Sequence, residues 1–279
     1  MLSLHVLGHA RRMGFSRRIL HVQAANQDLA LLAQFNDLCE AVWIKGQNPP
    51  PLAMKAIFLS LFHDREAMKD LKKIKAPFSL GPRSKISSLW SYSMSVRQSR
   101  SQVLKSEGEY NLDLLNHLGD TQNIAKVEWM GLPALKLPQD WRSPVISPDI
   151  VINVSNRGSA ANWSIDKYIS LGMEYQKRGV KVDFVVSGED EVIRMAKLKA
   201  AQVEKMGCRI LPSFENIKQL CRYLSEAKHV ISSSTGTLHL AHALGVEVTG
   251  IYPMKKVESF ERWQPYGFWH SAPVRFIEI

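Results

Sequence analysis

The stretch ISSSTGTLHLAHALGVEVTGIYPMKKVESFERWQPYG, residues Ile231–Gly267, decides the fold of the C-terminal half of this 279-residue chain. An apolar run over His229–Ile231 predicts a buried strand, and the small residues that follow it predict a turn. The pattern then predicts a helix over Thr237–Leu244, which ends at Gly245, and a second strand over Val246–Tyr252. A strand, a small-residue turn and a helix in this order place unpaired backbone N–H groups above the edge of a sheet.

The turn between this strand and this helix is suited to an anion. Free N–H groups and the positive end of the helix dipole together form a site for phosphate. Ser234 or Thr235 would cap the helix, and Gly236 lets an anion approach the backbone. Thr237 opens the helix, and His239 follows one turn in, at the same end. The same residues are also typical of an ordinary capped helix with a satisfied histidine.

Several spaced residues of the stretch form a longer pattern: Thr235-Gly236-x-x-His239-x-Ala241, then Leu244-Gly245-Val246, then Arg262-Trp263-x-Pro265-Tyr266-Gly267. This pattern resembles the C-terminal signature of glycosyltransferase family 9, the lipopolysaccharide heptosyltransferases that use ADP-heptose. The resemblance implies that the Thr-Gly turn and its histidine hold the diphosphate of the sugar donor. One position departs from the family, because Ser234 stands where an aspartate is usual.

The resemblance also implies a GT-B architecture, an α/β fold in which two Rossmann-like domains face a cleft. The family opens with a strand and a Gly-Asp turn whose aspartate is the proposed base, whereas this chain begins inside the helix that follows. We therefore expect the N-terminal domain to be incomplete, and the C-terminus also stops before a helix that many members have. Residues 1–130 are expected to form the acceptor-side domain, residues 131–148 a linker, and residues 149–279 the nucleotide-sugar-binding domain.

The charge balance of the chain favours an anionic partner. Its formal net charge of +10 is typical of proteins that bind phosphorylated sugars, anionic lipid headgroups or nucleic acid. No apolar run approaches the roughly 20 residues that span a bilayer, and the first residues lack the order of a signal peptide. Three scattered cysteines without metal-ligand spacing indicate a reducing, cytoplasmic compartment.

Hydrophobic periodicity divides the N-terminal half into short elements. It predicts helices over residues 3–14, 27–35 and 109–118, and strands over residues 19–25, 41–44 and 56–62, the last of them as a central parallel strand. Residues 81–106 show no clear period, which predicts a long surface loop rich in basic and aromatic residues. Such a loop suits a phosphorylated lipid acceptor or the anionic inner leaflet. Stacking on nucleic acid and a merely solvated loop are the alternatives.

The C-terminal half alternates regularly between strands and helices. The pattern predicts strands over residues 150–154, 182–186, 209–211 and 274–279, and helices over residues 164–178, 191–205 and 215–227, in addition to the elements of the opening stretch. Alternation of this kind predicts a parallel, doubly wound sheet. Ligands of such sheets bind beyond the carboxyl ends of the strands.

Further contacts to the donor phosphates are expected from the loop after the first strand of this half. Ser155 and Arg157 lie in that loop. The resemblance implies a lysine or arginine two residues before Trp163, where this chain has Ala161. Arg157 is the expected substitute, unless it is simply an exposed turn residue.

Three more residues are expected in the donor site, and two are candidates for the base. The resemblance implies that Glu191 contacts the ribose, that Phe214 packs against the adenine, and that Arg262 shapes the cleft near the phosphates. A helix-start charge explains Glu191 equally well, and a core position explains Phe214. His63 and Asp64 follow the third predicted strand and are weak candidates for the catalytic base, while a helix start capped by Asp64 is the alternative.

The residues and the resemblance together predict an inverting glycosyltransferase of the heptosyltransferase type, which transfers a sugar from ADP-heptose to a lipopolysaccharide-core or related glycan. No cofactor and no metal are expected. The expected partners are the nucleotide-sugar, a lipid-linked or phosphorylated glycan acceptor and the anionic inner membrane, with no nucleic acid and with the chain a cytoplasmic monomer. The alternative is a degenerate relative that binds nucleotide-sugars without catalysis. A dinucleotide oxidoreductase is disfavoured because no G-x-G-x-x-G follows a strand.

Overall fold

The computed structural model describes residues 4–52, 56–62, 65–74, 76–83, 91–122, 131–141, 147–155, 162–187, 190–265 and 273–279. These residues form two compact units, one that extends to Leu132 and one that begins at Pro133. Among the described helices, none combines the length and the apolar character that spanning a bilayer requires.

The N-terminal unit contains four helices and five strands among its described residues. The helices are α1 (Leu4–Arg12), α2 (Gln27–Phe35), α3 (Arg65–Ile74) and α4 (Glu107–Gln122), and the strands are β1 (Ile19–Val22), β2 (Ala41–Ile44), β3 (Ile57–Leu59), β4 (Phe78–Arg83) and β5 (Met94–Arg97). All pairings are parallel, in a sheet of order β1-β2 and a sheet of order β3-β4-β5. Its core packs α1 and α4 against β4 through apolar side chains that include Val6, Leu80 and Leu114.

Two predictions for this unit are wrong at their boundaries. The strand expected from residue 19 ends at Val22, and a short 3₁₀ helix, Ala24–Asn26, follows it. The strand expected over residues 56–62 is shorter in the structure, where it is β3. This strand pairs with β4 and lies at the edge of its described sheet, not at the centre. It is short because the Ser60 hydroxyl donates to the Phe62 carbonyl at 2.6 Å, which closes a turn directly after the strand.

The long surface loop expected over residues 81–106 is also wrong, because β4 ends and β5 lies within it. Tyr92 is buried, and a Cβ built at Gly81 would lie 2.3 Å from Cζ of its ring. The glycine is therefore required by the close approach of the ring. Parallel pairing joins strands that are distant in sequence, so no local period revealed it. Residues 84–90 of the expected loop lie outside the described residues.

Helix α4 starts two residues earlier than predicted and continues past Gly119. Ser106 and Glu109 form a capping box at its start: the Ser106 backbone N–H donates to the Glu109 carboxylate at 2.7 Å, and the Glu109 N–H donates to the Ser106 hydroxyl at 3.2 Å. This reciprocal pair satisfies two of the N–H groups that a helix start leaves open. The Ser-x-x-Glu spacing was available in the sequence as a start signal.

The C-terminal unit is one six-stranded parallel sheet of order β11-β10-β9-β6-β7-β8 with helices between its strands. The strands are β6 (Ile150–Asn153), β7 (Val182–Val185), β8 (Arg209–Leu211), β9 (His229–Ser233), β10 (Glu247–Tyr252) and β11 (Val274–Glu278), and the helices are α5 (Ile165–Lys177), α6 (Glu191–Ala200), α7 (Ile217–Ser225), α8 (Gly236–Ala243) and α9 (Phe260–Trp263). The predicted alternation is therefore confirmed. Helix α6 is shorter than the predicted 191–205, because its last part is a separate 3₁₀ helix, Val203–Met206.

The core of this unit lies on the sheet and excludes water from its middle strands. Val151, Phe184, Val230 and Val248 are fully buried, as expected for parallel strands covered on both faces. Gly250 lets α8 lie close to the sheet, since a Cβ built there would be 3.0 Å from Leu238 Cδ2 and 2.3 Å from the Tyr252 ring.

Candidate functional site

The strand order of the C-terminal sheet places a topological switch point between β6 and β9. From β6 the chain moves outward through β7 to β8, whereas from β9 it moves through β10 to β11 on the other side. The connections after β6 and β9 therefore leave the sheet in opposite directions. Doubly wound sheets bind their ligands in the crevice that opens there, beyond the carboxyl ends of the strands.

A buried polar network joins the carboxyl ends of these strands. Asn153, at the end of β6, donates from Nδ2 to the hydroxyls of Ser232 at 3.0 Å and Thr235 at 3.4 Å. Its Oδ1 accepts the Ser155 backbone N–H at 3.2 Å, and the Ser187 hydroxyl donates to the Ser155 hydroxyl at 2.8 Å. The network fixes the start of the β6 loop relative to the turn after β9.

The start of α8 differs in one respect from the expected capped helix. Thr235 occupies the N-cap position in an extended conformation, but its side chain makes no capping hydrogen bond. Its hydroxyl instead lies 2.9 Å from that of Ser232, within the buried network. The expected side-chain cap by Thr235 is therefore wrong, because buried polar partners compete for its hydroxyl, and Ser234 lies one residue before the N-cap. Among the described residues, no acceptor is found for the N–H groups of Gly236, Thr237 and Leu238, the first residues of α8.

The helix start has room for such an acceptor. Gly236 is exposed, and a Cβ built on it meets no atom within 4 Å among the described residues. Packing therefore does not require glycine at this position. Thr237, the next residue of α8, is half-buried.

His239 lies one turn into α8, and burial favours its neutral imidazole. Its Nδ1 is buried and has no hydrogen-bond partner within the described part of the chain. Burial lowers the pKa of His239 to about 3. A neutral imidazole carries one N–H, and an unpaired buried nitrogen costs free energy unless a partner arrives.

This lowered pKa has a consequence for acid stability. An unfolded histidine takes up its proton near pH 6.5, whereas folded His239 does so only near pH 3, so the unfolded state binds more protons as the pH falls. We expect the free energy of unfolding to decrease from about pH 6.5 downward, and to decrease less in His239→Gln. Urea titrations of both proteins at several pH values measure this, and identical pH profiles would contradict it.

Three residues near the carboxyl ends of these strands were not identified from the sequence. The buried Tyr168 hydroxyl of α5 donates to Asn162 Oδ1 at 2.6 Å, and Asn162 Nδ2 is buried without a partner among the described residues. Arg194 of α6 donates from Nη1 to the Val154 carbonyl. Burial raises the pKa of Tyr168, and the nearby Asn162, Arg194 and Ser233 partly offset the increase. The Tyr168 hydroxyl of α5 thus lies beside the end of β9.

Glu191 and Phe214 belong to the neighbouring loops of the edge and already have protein partners. The Glu191 carboxylate accepts the Ser213 backbone N–H at 3.1 Å and also the Ser213 hydroxyl. It therefore ties the start of α6 to the loop after β8. Phe214 is half-buried and packs against Tyr223 of α7, with ring centroids 5.2 Å apart. Their contacts to a ribose and an adenine stay predictions.

Arg262 lies in α9, in the connection that follows β10. Its Nη1 donates to the Val257 carbonyl at 3.1 Å, and its guanidinium lies 4.9 Å from the Trp263 ring centroid. The buried Tyr252 hydroxyl donates to the Trp263 carbonyl at 3.2 Å. Burial raises the pKa of Tyr252, and a hydrogen bond with Ser234 partly offsets the increase. The β10 connection is thereby anchored beside the turn that opens α8.

The remaining predicted residues cannot be placed. Arg157 lies outside the described residues, as do His63 and Asp64. Within the ranges that the structure describes, no group of three His, Cys, Asp or Glu residues could hold a metal ion.

Comparisons with known proteins agree with this geometry. The chain matches the family model of glycosyltransferase family 9 (heptosyltransferase) over residues 73–268. A Haemophilus influenzae protein named as a candidate glycosyltransferase is 25% identical over 224 residues, which are 74% of this chain and 62% of that relative. The chain thus spans less than two thirds of the length of this curated relative.

Solved structures of low sequence identity share the fold. A family 9 glycosyltransferase from Veillonella parvula superposes with a TM-score of 0.77 at 14% identity, over 100% of this chain and 82% of that one. The ADP-heptose lipopolysaccharide heptosyltransferase II of Escherichia coli gives 0.74 at 15% identity, over 99% and 86%. An Escherichia coli heptosyltransferase solved with ADP gives 0.71 at 13% identity, over 99% and 88%.

The fold of the chain is accordingly the mixed α/β fold with parallel sheets that heptosyltransferases of the GT-B type share. The family model covers the larger part of the chain, including the turn after β9, α8 and the connection after β10. The resemblance read from the Thr-Gly turn, His239 and the Arg262 motif is confirmed. This chain belongs to glycosyltransferase family 9, a family of glycosyltransferase enzymes.

Proposed function

We propose that this protein transfers a sugar from a nucleotide diphosphate donor, ADP-heptose, to a lipopolysaccharide-core or related glycan with inversion. The observation that carries the proposal is the start of α8 beside the switch point: among the described residues it has no side-chain cap, Gly236 has open space around it, and a buried His239 nitrogen one turn in has no partner. Family membership supports the reaction class. Two similar folds, solved as an ADP-heptose enzyme and with ADP, support the choice of donor.

The proposed reaction requires the site to stabilise ADP as the leaving group. The acceptor hydroxyl oxygen attacks the anomeric carbon, the bond from that carbon to the diphosphate breaks, and the hydroxyl proton passes to a base. Negative charge then accumulates on the released ADP. We propose that backbone N–H groups at the start of α8 and the His239 N–H donate to this charge, since preorganised donors of this kind stabilise a transition state. We propose His63 and Asp64 as the first residues to test as the base.

The acceptor side of the proposal rests on charge. The net charge of +10 favours a phosphorylated or lipid-linked glycan and a location at the inner face of the cytoplasmic membrane. We propose that the protein acts there as a peripheral monomer and that it does not bind nucleic acid. Sedimentation with anionic vesicles, compared with neutral vesicles, tests the membrane contact, and equal sedimentation would argue against it.

Donor binding is expected not to need a divalent metal. Helix N–H groups and side-chain donors would replace the metal charge at the diphosphate. We expect the dissociation constant for ADP, measured by calorimetry, to be the same in EDTA as in buffer with Mg²⁺. Loss of binding in EDTA would show that a metal completes the site.

An assay of sugar transfer distinguishes an active enzyme from a relative that only binds the nucleotide-sugar. We expect ADP to be released from ADP-heptose when a lipopolysaccharide-core acceptor is added, at a rate above that without acceptor. Tight ADP binding without acceptor-dependent release would instead favour a non-catalytic nucleotide-sugar-binding protein.

A further inference from the structure

Arg194 of α6 is a largely buried cation whose hydrogen bonding is incomplete. Its side chain is 16% exposed. Nη1 donates to the Val154 carbonyl, and Nη2 lies 3.6 Å from the Asp190 carboxylate, whose side chain is 56% exposed. Nε is buried and has no partner among the described residues.

These contacts do not balance the charge that is buried. A buried guanidinium is costly unless its N–H groups find acceptors and its charge finds a partner. The pair with Asp190 is long and its carboxylate is largely exposed, so this pair neutralises little of the buried charge. An anion close to the guanidinium would supply both a charge and acceptors, and charge-assisted hydrogen bonds to Arg are among the strong ones.

The position of Arg194 indicates which anion this would be. Arg194 donates to the carbonyl of Val154, which follows directly after β6. Asn153, the last residue of β6, is bonded to Thr235 at the N-cap of α8. Arg194 and the start of α8 therefore approach the β6 end from the two neighbouring strand connections, after β7 and after β9. A diphosphate at the switch point would lie between a helix start and this cation.

We propose that Arg194 supplies a positive charge for the donor diphosphate, from α6 rather than from the loop after β6. This inference rests on the proposed function. In the sequence after β6, Ala161 stands where the family resemblance places a cation. Arg194 would supply this missing charge from α6. Arg194 is then a specificity residue that favours ADP over adenosine.

Calorimetry on the full chain separates a charge contact from a structural role. We expect Arg194→Met to weaken ADP binding about 10- to 100-fold, as for loss of a hydrogen bond to a charged group, and to change adenosine binding less than about threefold. Arg178→Met is the matched control, because Arg178 is an exposed arginine at the C-cap of α5 and pairs with Glu174, and this variant should bind both ligands like the wild type. Equal losses of ADP and adenosine affinity, or none, would overturn the proposal.

A second measurement uses the wild-type chain and does not depend on the folding of a variant. The Arg194 Nε–H, labelled with ¹⁵N and assigned by its absence in Arg194→Lys or by through-bond spectra, is expected to shift on addition of ADP and not of adenosine. If ADP binds but the Arg194 Nε–H resonance does not shift, the role of Arg194 is refuted and the proposed function is not. Failure of the wild type to bind ADP would instead refute the proposed function.

Discussion

Substituting His239 with alanine is expected to weaken ADP binding about 10- to 100-fold, because one hydrogen bond to a charged oxygen disappears from a water-poor site. Nδ1 is buried and has no partner among the described residues, and burial lowers the pKa of His239 to about 3, so the imidazole is neutral near pH 7 and carries one N–H. A neutral donor can be replaced in part by an amide. His239→Gln should therefore bind ADP more tightly than the alanine variant, as calorimetry would show.

The control for this prediction is a histidine at the opposite end of the same sheet. His229 opens β9, and its Nε2 pairs with the Thr249 hydroxyl at 2.9 Å. His229→Ala should leave ADP affinity unchanged. If His229→Ala and His239→Ala weaken ADP binding equally, the effect is one of stability, and the donor role of His239 is wrong.

Substituting Asn153 with leucine is expected to lower the local stability of the C-terminal sheet by about 2–4 kcal/mol, because buried partners lose their hydrogen bonds and two methyl groups replace the amide oxygen and nitrogen. Asn153 is 1% exposed. It forms hydrogen bonds with the Ser232 and Thr235 hydroxyls and with the Ser155 backbone N–H. Leucine would remove the donor that both hydroxyls share and the acceptor of the Ser155 N–H, at the edge where we propose that the donor binds. Hydrogen exchange of the β6 and β9 amides, read by mass spectrometry, measures the loss.

Ser187→Ala provides the comparison for Asn153→Leu. It removes one hydroxyl bond, to Ser155, at a half-buried position, so we expect a loss below about 1 kcal/mol. ADP affinity should fall in Asn153→Leu and stay near the wild-type value in Ser187→Ala. Unchanged exchange in Asn153→Leu would show that the network does not hold the two strands together.

The C-terminal unit was predictable because its signals are local. Each strand is a short apolar run between turn residues, and the β9–α8–β10 stretch contains its own turn and its own helix end at Gly245. The N-terminal unit was harder to predict, because β4 and β5 are defined by pairing across intervening chain and by the packing of Tyr92 on Gly81. Non-local pairing has no period that a single segment displays.

The candidate site was predictable only in part, for a similar reason. The Thr-Gly turn and His239 are adjacent in sequence, so a motif could identify them. Asn153 looks like the polar end of an apolar strand, and only the switch point shows that it meets Thr235. Arg194 sits in an ordinary basic helix sequence, and nothing before the structure showed that its side chain turns toward the end of β6.

The most direct test of the central claim is to map ADP on the protein by ¹⁵N amide chemical shifts. We expect the amides of Gly236, Thr237 and Leu238 to shift most on addition of ADP, because no acceptor for these N–H groups lies among the described residues. Adenosine should leave these three amides close to their original positions. ADP binding that leaves all three unmoved, with its shifts confined to the N-terminal unit, would contradict the account.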